Sequence, residues 1–257
     1  MNTTEKQKLT VLIITLNEEL HIKSLLEDID FANEIIVVDS FSTDQTVKII
    51  ESFKNVRLIQ NHFINYTLQR NFAIDQAKNQ WILFIDADER LTPNLKTEIL
   101  STINDHNAAS AYLIYRTFMF KNLKLHFSGW QTDKIFRLFN KENCRYTEDR
   151  MVHEKLKVNG TIATLKNKLI HFSYTNYQDY KSKMHNYGIL KANEKIKKGH
   201  KSSTLLMIFH PVYTFLYQFL IRLGFLDGTK GVIICYLNAY SIFSRYKELQ
   251  RITSSRI

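Results

Sequence analysis

Three acidic side chains follow a strand-like apolar run in the stretch WILFIDADER, residues 81–90. Asp86, Asp88 and Glu89 lie within four positions, and Arg90 follows directly. Crowding like charges is costly unless a cation relieves the repulsion. An Asp-x-Asp pair just past a buried strand suits a divalent cation, since Mg²⁺ takes one or two carboxylates and completes its shell with phosphate oxygens and water. The alternative is a solvated turn before a helix, whose N-terminal end favours acidic residues.

The elements that must position these acids alternate regularly over the first hundred residues. Continuous apolar runs predict three buried strands, at 9–16, 34–40 and 81–86, and VRLIQ at 56–60 predicts a further strand. Segments with helical spacing or capping residues predict intervening helices, at 18–30, 42–53, 67–79 and 92–103. This alternation is typical of an α/β fold with a mainly parallel sheet and helices on both faces.

Polar clusters fall at three of the predicted strand ends. They are Thr15–Asn17–Glu18, Asp39–Ser40 and Asp86–Asp88. Ligands of such sheets bind beyond the carboxyl ends of the strands, so we expect these clusters to share one crevice. After residue 105 the alternation weakens, with strand-like runs at 110–120, 133–140 and 161–174.

Four segments, in this order, carry a resemblance to a known family: VLIITLNEE (11–19), VVDSFSTDQT (37–46), QRNFA (69–73) and FIDADE (84–89). Together they resemble the family-2 glycosyltransferases with the GT-A fold, and are most similar to bacterial lipopolysaccharide-core β-glucosyltransferase-like members. The resemblance implies a Rossmann-like GT-A catalytic domain over residues 1–176. It also implies a nucleotide-sugar donor, which we expect to be a UDP-hexose, and a Mg²⁺ or Mn²⁺ cofactor.

The resemblance also assigns roles to the residues at the strand ends. The nucleotide pocket and nucleoside contacts would come from Thr15, Asn17, Glu18, Asp39, Gln69 and Arg70. Asp86 would lie by the ribose and the metal, and Asp88 would ligate the metal directly. Asp39 can accept from an imide N–H or a hydroxyl, and Arg70 can reach anionic or planar groups. The alternatives are a helix cap for Asp39 and a surface helix residue for Arg70.

An inverting transfer also needs a carboxylate that takes the proton of the acceptor hydroxyl. The segment YTEDRMVHEKL, residues 146–156, offers two candidates. His153–Glu154 matches a form that resembles the core-glucosyltransferase-like members, and Glu148–Asp149 matches the commoner Glu-Asp pair. We favour Glu154, with Asp149 as the alternative.

Three further side chains are candidates for supporting roles. His171 follows an apolar run and is either a third metal ligand or diphosphate contact, or a hydrogen-bonded structural residue. Trp130 could stack on an acceptor sugar and Arg137 could meet a phosphate. Both could instead only pack and pair within the core.

The last third of the chain differs in charge from the rest. Residues 179–257 contain 13 Lys or Arg and four acidic residues, out of a net charge of +10 for the whole chain. Residues 202–221 contain no formally charged residue, and a second apolar run covers 231–244. We therefore expect residues 177–257 to form basic, amphipathic helices that lie on an anionic membrane surface. The alternative is packing on the catalytic domain or on a second subunit of a homo-oligomer.

The cysteine content and the N-terminal segment bear on the cellular compartment of the protein. Only two cysteines occur, Cys144 and Cys235, and they form no CxxC pair, which favours a reducing compartment. The N-terminus lacks the basic start and apolar middle of a signal peptide, so we expect a cytoplasmic protein peripheral on the membrane.

The sequence as a whole predicts an inverting, metal-dependent glycosyltransferase that uses a nucleotide sugar and a glycan or lipid-linked acceptor in cell-envelope polysaccharide synthesis. A phosphatase of the haloacid-dehalogenase type also has Asp-x-Asp after a strand, but normally after its first strand. A nucleotidyltransferase would need a Gly-rich phosphate loop, and none occurs near residues 15–25. A nucleic-acid-binding module fits poorly, because the basic residues of the tail flank long apolar runs instead of interleaving with polar ones.

Overall fold

The computed structural model describes residues 7–120, 123–147, 155–174, 176–200 and 202–254. The chain divides into two compact units. The first contains Met1–Arg116 and Lys134–His171, and the second contains Thr117–Asp133 and Phe172–Ile257. The sequence-based boundary at residue 176 stays a prediction of domain organisation.

The first unit is built on a sheet whose first four strands are parallel neighbours in the order β3-β2-β1-β4. These strands are β1 (Leu9–Thr15), β2 (Glu34–Asp39), β3 (Val56–Gln60) and β4 (Trp81–Phe84). The helices between and after them are α1 (Ile22–Asp28), α2 (Thr46–Glu51), α3 (Tyr66–Gln76) and, after a short strand β5 (Glu89–Leu91), α4 (Pro93–Ile103).

Beyond β4 the sheet continues with antiparallel pairs. The further elements are β6 (Ala111–Phe120), β7 (Leu123–Lys124), β8 (Lys134–Asn140), β9 (Cys144–Thr147), β10 (Lys155–Val158), β11 (Ile162–Thr164) and β12 (Leu169–Tyr174). Strand β8 lies antiparallel between β4 and β6, and β9 pairs with β10 as a separate ribbon. The predicted α/β fold class with a mainly parallel sheet is confirmed.

The core explains why the first strands read as continuous apolar runs. In β1, Leu9, Val11 and Ile13 belong to one buried cluster, which includes residues of α1, α2 and α4. Leu12 points into a second cluster that includes Ala73 of α3. Side chains alternate between the faces of a strand, so both faces of this sheet are covered.

The second unit is mainly helical. Its helices are α5 (Tyr177–Lys197), α6 (Thr204–Leu216) and α7 (Thr229–Ser254), with a π-helical turn at Tyr217–Ile221 continuing α6 and 3₁₀ turns at Trp130–Thr132 and Gly224–Asp227. Both α5 and α6 pack along α7. The predicted C-terminal helices are therefore present. By length and composition the segment Thr204–Ile221 could cross a membrane, a criterion that core helices and signal sequences also meet.

Candidate active site at the carboxyl ends of the parallel strands

The loops that follow β1 and β2 are tied to each other by side-chain hydrogen bonds. Asn17, in the left-handed region with φ of 56°, accepts through Oδ1 from the backbone N–H of Thr43 at 2.8 Å. Its own N–H donates to Ser42 Oγ at 2.8 Å, and the N–H of Glu18 donates to Thr46 Oγ1 at 2.7 Å. Helix α1 begins at Ile22, four residues later than the sequence predicted, so Asn17 and Glu18 lie in the loop. The hydrogen bonds hold Asn17 and Glu18 against the loop after β2.

Asp39 is the fully buried last residue of β2. It lies opposite Thr15 in the parallel register, and Thr15 Oγ1 donates to its Oδ1 at 3.1 Å. The backbone N–H of Ser42 donates to Oδ2 at 2.9 Å, and the Ser42 hydroxyl donates to Oδ1. The carboxylate thus shapes the turn after β2, but it does not cap the following helix, since α2 begins at Thr46 with Gln45 at its N-cap position. Contact with a nucleoside stays a prediction for Asp39.

Gln69 connects the ends of β2 and β3. Its side chain is 1% exposed; Oε1 accepts from Asn61 Nδ2 at 2.8 Å, and Nε2 donates to Ser40 Oγ at 3.1 Å. Helix α3 is oriented for this contact by its N-terminal cap, Asn65, whose side chain accepts from Leu68 N. The structure therefore brings Thr15 and Asp39, from two of the predicted strand-end clusters, to the same end of the sheet, together with Gln69 of α3.

Asp86 lies just beyond β4 between two arginines. Arg70 Nη2 donates to Asp86 Oδ1 at 3.2 Å, and Arg137 Nη2 donates to Asp86 Oδ2. The guanidinium of Arg70 also stacks on Phe84, 4.5 Å from the ring centroid. The side chain of Arg70 is 7% exposed and that of Asp86 is 30% exposed, so the carboxylate faces solvent from a fixed position.

Arg137 also donates to a second carboxylate, that of Glu89. Arg137 Nη2 donates to Glu89 Oε1 at 2.8 Å, and both side chains are essentially inaccessible, at 1% and 0% exposure. The other carboxylate oxygen of Glu89 accepts the backbone N–H of Asp86 at 3.0 Å. Glu89 and Arg137 therefore form a buried support that fixes both the backbone and the side chain of Asp86.

The pKa values of Asp86 and Glu89 are shifted in opposite directions. Burial alone would raise the pKa of Asp86, but the positive charges of Arg137 and Arg70 outweigh it and hold that pKa well below its ordinary value. Burial raises the pKa of Glu89 above its ordinary value despite the attraction of Arg137. Burial would lower the pKa of Arg137, but the charges of Asp86 and Glu89 outweigh it and raise that pKa. Asp86 is thus the ionised carboxylate that the site presents.

The side chains of Asp88 and His171 are in contact. Strand β5 pairs antiparallel with β12, which places His171 opposite Glu89 and next to Asp88. His171 Nε2 lies 3.2 Å from Asp88 Oδ2, with side-chain exposures of 13% and 21%. The two residues considered as metal ligands are thus neighbours.

This donor set fits a divalent cation that shares its coordination with a ligand. A carboxylate and an imidazole are suitable donors, and both are partly exposed. Within the described ranges no group of three or more His, Cys, Asp or Glu side chains could hold a metal ion by itself. Phosphate oxygens and water would have to supply the remaining positions, as is common for Mg²⁺.

Arg90 positions the Asp-x-Asp turn, a role that its place in the sequence did not reveal. Its Nη1 donates to the carbonyl oxygen of Ala87 at 2.7 Å, and Nη2 donates to that of His21 at 2.8 Å. Ala87 lies between the two aspartates, so Arg90 holds the Asp-x-Asp turn against the loop before α1. The signal in the sequence was an arginine directly after a group of acids, a pattern that does not reveal which carbonyl groups it contacts.

The other candidates are placed differently. Arg137 is buried beneath Asp86, which matches the pairing alternative, and an acceptor contact stays a prediction. Trp130 belongs to the second unit, where its ring packs 4.2 Å from that of Phe118, centroid to centroid. Both base candidates, Glu154 and Asp149, lie outside the described residues, together with His153 and Glu148.

Comparison with known proteins places this geometry in context. The family described as Glycosyl transferase family 2 matches residues 10–165. An uncharacterized glycosyltransferase of Rickettsia bellii is 31% identical over 96% of this chain and 87% of its own length. The lipopolysaccharide core biosynthesis glycosyltransferase LpsC of Rhizobium meliloti is 27% identical, with 94% of each chain covered.

A solved structure shares the fold. The crystal structure of Staphylococcus aureus TarS in complex with UDP superposes with a TM-score of 0.52 at 17% identity. The match covers 97% of this chain and 92% of that one.

Proposed function

The chain belongs to glycosyl transferase family 2, and on that premise we propose that it moves a sugar, with inversion, from a UDP-hexose to a glycan or lipid-linked acceptor. Cell-envelope polysaccharide or lipopolysaccharide synthesis is the setting that the LpsC relative supports. A uridine donor is supported by the UDP bound to TarS.

The observation that carries the proposal is the pairing of Asp88 with His171, 3.2 Å apart, beside an ionised Asp86. Asp86 and Asp88 lie just beyond the carboxyl end of the parallel strand β4, where α/β sheets bind nucleotides, and the pairing of β12 with β5 brings His171 to them. A Mg²⁺ or Mn²⁺ bound there would neutralise charge on the departing diphosphate. Asp88 and His171 would hold that cation, with Asp86 oriented towards it and the ribose.

The protein's own side chains divide the remaining work. Arg70, Arg137 and Glu89 hold Asp86 in place so that it need not reorganise during transfer. Thr15, Asn17, Glu18, Asp39 and Gln69 would line the nucleotide pocket. Glu154 would take the proton of the acceptor hydroxyl, with Asp149 as the alternative, while the hydroxyl attacks the anomeric carbon. An α-linked donor would then give a β-linked product.

The second unit would bring the enzyme to its acceptor. None of the residues of α6 is buried, and the helix carries no charged side chain. Basic residues precede and follow it. We expect this helix to lie at the cytoplasmic face of an anionic membrane, which suits an acceptor embedded in lipid. Contact with a second copy of the chain is the alternative.

A donor screen tests the proposal. The purified protein is incubated with Mn²⁺, with UDP-, GDP- or ADP-hexoses, and with membrane lipids or lipopolysaccharide core as acceptors. Mass spectrometry detects the product, and the anomeric coupling constant identifies the linkage. We expect a β-linked hexose from a UDP donor, lost on chelation and in Asp88→Ala. An α-linked product, or unchanged transfer after chelation, would refute the mechanism.

A further inference from the structure

Helices α5 and α7 of the second unit approach each other closely at Gly188. At Gly188 of α5, a methyl group would lie 2.6 Å from the carbonyl oxygen of Ser241 on α7, so only glycine permits this approach. Beyond it, Ala192, Tyr246 and Leu249 form a small buried core between the two helices. Side chains that border this core are held in place by the packing beneath them.

Four cationic or ionisable nitrogen groups border that core from three helices. Lys191 and Lys195 come from α5, His210 from α6 and Arg245 from α7, and all four are half-buried. Arg245 Nη2 lies 3.4 Å from His210 Nδ1, which in turn is 3.1 Å from the Tyr246 hydroxyl. The guanidinium carbon of Arg245 lies 5.0 Å from the centroid of the Tyr246 ring. We call these four residues the basic interhelical cluster.

The acidic side chains near the cluster, Glu194 and Glu248, each also bond another cation and offset only part of its positive charge. Burial and then the charge of Arg245 lower the pKa of Lys191, with Glu194 acting in the opposite direction. Burial and then the charges of Arg245 and Lys195 lower the pKa of His210. Glu194 also accepts a hydrogen bond from Lys198 at 2.6 Å, and Glu248, the next acid along α7, accepts from Arg251 at 2.7 Å.

One donor of the cluster is also unused. Arg245 Nε is buried, and no residue that the structure describes accepts a hydrogen bond from it. A buried donor without an acceptor destabilises the fold, and repulsion between the cations adds to that cost. An anion with several acceptor oxygens would relieve both.

We propose that Lys191, Lys195, His210 and Arg245 bind the phosphate group of an anionic membrane lipid. Arginine and lysine together suit a phosphate, because the planar guanidinium can donate two parallel hydrogen bonds while ammonium groups supply point charge. The apolar helix that contributes His210 argues for a phosphate carried by a lipid. Its Leu205, Phe209 and Tyr213 are 66%, 63% and 64% exposed and could contact acyl chains directly below a bound headgroup.

This inference rests on the membrane attachment in the proposed function but not on glycosyl transfer. The test is therefore made without donor or acceptor. The full-length protein is mixed with phosphatidylcholine vesicles that contain none or about a third of phosphatidylglycerol, and binding is measured by flotation. Wild type is compared with the double variant Lys191→Gln/Arg245→Gln. The matched control is Lys230→Gln/Lys247→Gln, which removes two positive charges from the same unit outside the cluster.

We expect phosphatidylglycerol-dependent binding to fall about tenfold more in the cluster variant than in the control. Equal losses would mean that only diffuse charge matters and would overturn the site. Absence of vesicle binding by wild type would refute the membrane attachment as well, while leaving glycosyl transfer untouched. Arg245→Lys keeps the charge but not the planar guanidinium, so the site predicts reduced binding, whereas unchanged binding would favour diffuse charge and overturn it. Unchanged circular dichroism of each variant separates loss of the site from loss of folding.

A second arm separates the two sources of phosphate. Inorganic phosphate is added at constant ionic strength, and both vesicle binding and the melting temperature are followed. A lipid site predicts little effect of inorganic phosphate at millimolar concentration on either quantity. Displacement from vesicles together with a higher melting temperature, both absent in Lys191→Gln/Arg245→Gln, would assign the site to a free phosphate and overturn the lipid proposal.

Discussion

His171 Nε2 lies 3.2 Å from Asp88 Oδ2, although the two residues are 83 positions apart in the chain. The short strand β5 makes this contact possible, because its antiparallel pairing with β12 sets His171 opposite Glu89. The two residues proposed as metal ligands thus come from segments that share no motif in the sequence.

Removing either member of this pair should weaken metal binding. Asp88→Asn and His171→Ala each leave one protein donor, so we expect Mn²⁺ affinity in the presence of UDP to fall at least about tenfold. Electron paramagnetic resonance of free Mn²⁺ measures this directly. His106→Ala, which changes an exposed histidine after α4, is the control and should bind as wild type. Unchanged Mn²⁺ binding in His171→Ala would restrict that histidine to a structural role.

The buried ion pairs of Arg137 with Asp86 and Glu89 should contribute strongly to the free energy of unfolding. Arg137→Met leaves Glu89 buried and Asp86 short of one partner, so we expect a loss of about 3–5 kcal/mol in the free energy of unfolding. Urea denaturation gives this value. The control is Arg145→Met, which breaks an ion pair with Asp75 whose side chains are 47% and 54% exposed. That variant should lose less than about 1 kcal/mol, and similar losses in both would argue against a buried support.

Glu98 should give the stability of the first unit a defined pH dependence. Its carboxylate accepts from the backbone N–H groups of Lys166 and Asn167 at 2.7 and 2.9 Å. Burial would raise the pKa of Glu98, but these hydrogen bonds outweigh it and lower the pKa from its ordinary value of 4.5. A depressed pKa means that the stabilisation is complete above 4.5 and is lost as the pH falls towards the folded-state value.

The matching variant is Glu98→Gln. At pH 7 it should be less stable than wild type by about 1–3 kcal/mol, because two backbone donors lose a charged acceptor. Urea denaturation at pH 7, 5 and 3.5 should show this difference shrinking as the pH falls below 4.5. A difference that grows towards low pH would contradict the assigned sign. Glu27→Gln, an exposed change on α1, should stay within about 0.5 kcal/mol of wild type throughout.

The general base can be identified by kinetics. If Glu154 takes the proton, Glu154→Gln should lower kcat about 10²–10⁴-fold with little change in donor affinity. Asp149→Asn is the matched control, since it removes a carboxylate from the same segment, and should cost much less. Single-turnover rates with the product identified by the donor screen measure both. The reverse ranking would assign the base to Asp149.

The sequence predicted the fold well where the signal was local. The continuous apolar runs of β1, β2 and β4 identify buried parallel strands, and the residues after them share one edge as expected. Strand β5 was missed because ERL reads as a polar turn, and it becomes a strand only through pairing with β12. Long-range pairing of this kind has no signature in a short window of residues.

The charged residues of the site were predicted in position but not in role. Arg137 was considered as an acceptor contact, since a lone arginine in a strand-like run does not show whether it faces a ligand or the core. Its burial depends on Asp86 and Glu89, which lie about fifty positions earlier. The Asp-x-Asp pair by itself suggests a cation site, while the choice of Asp88 as the direct ligand comes from the family resemblance and stays a prediction. Its contact with His171 required the folded structure.

The central claim is that Asp88 and its neighbours bind a UDP-sugar together with a divalent cation. Isothermal titration of UDP into the protein, with Mn²⁺ and then with excess chelator, tests it most directly. We predict one UDP site per chain whose affinity falls at least about tenfold without Mn²⁺, and no effect of chelator on the residual binding by Asp88→Ala. Equal UDP affinity with and without Mn²⁺ in the wild type would contradict the account.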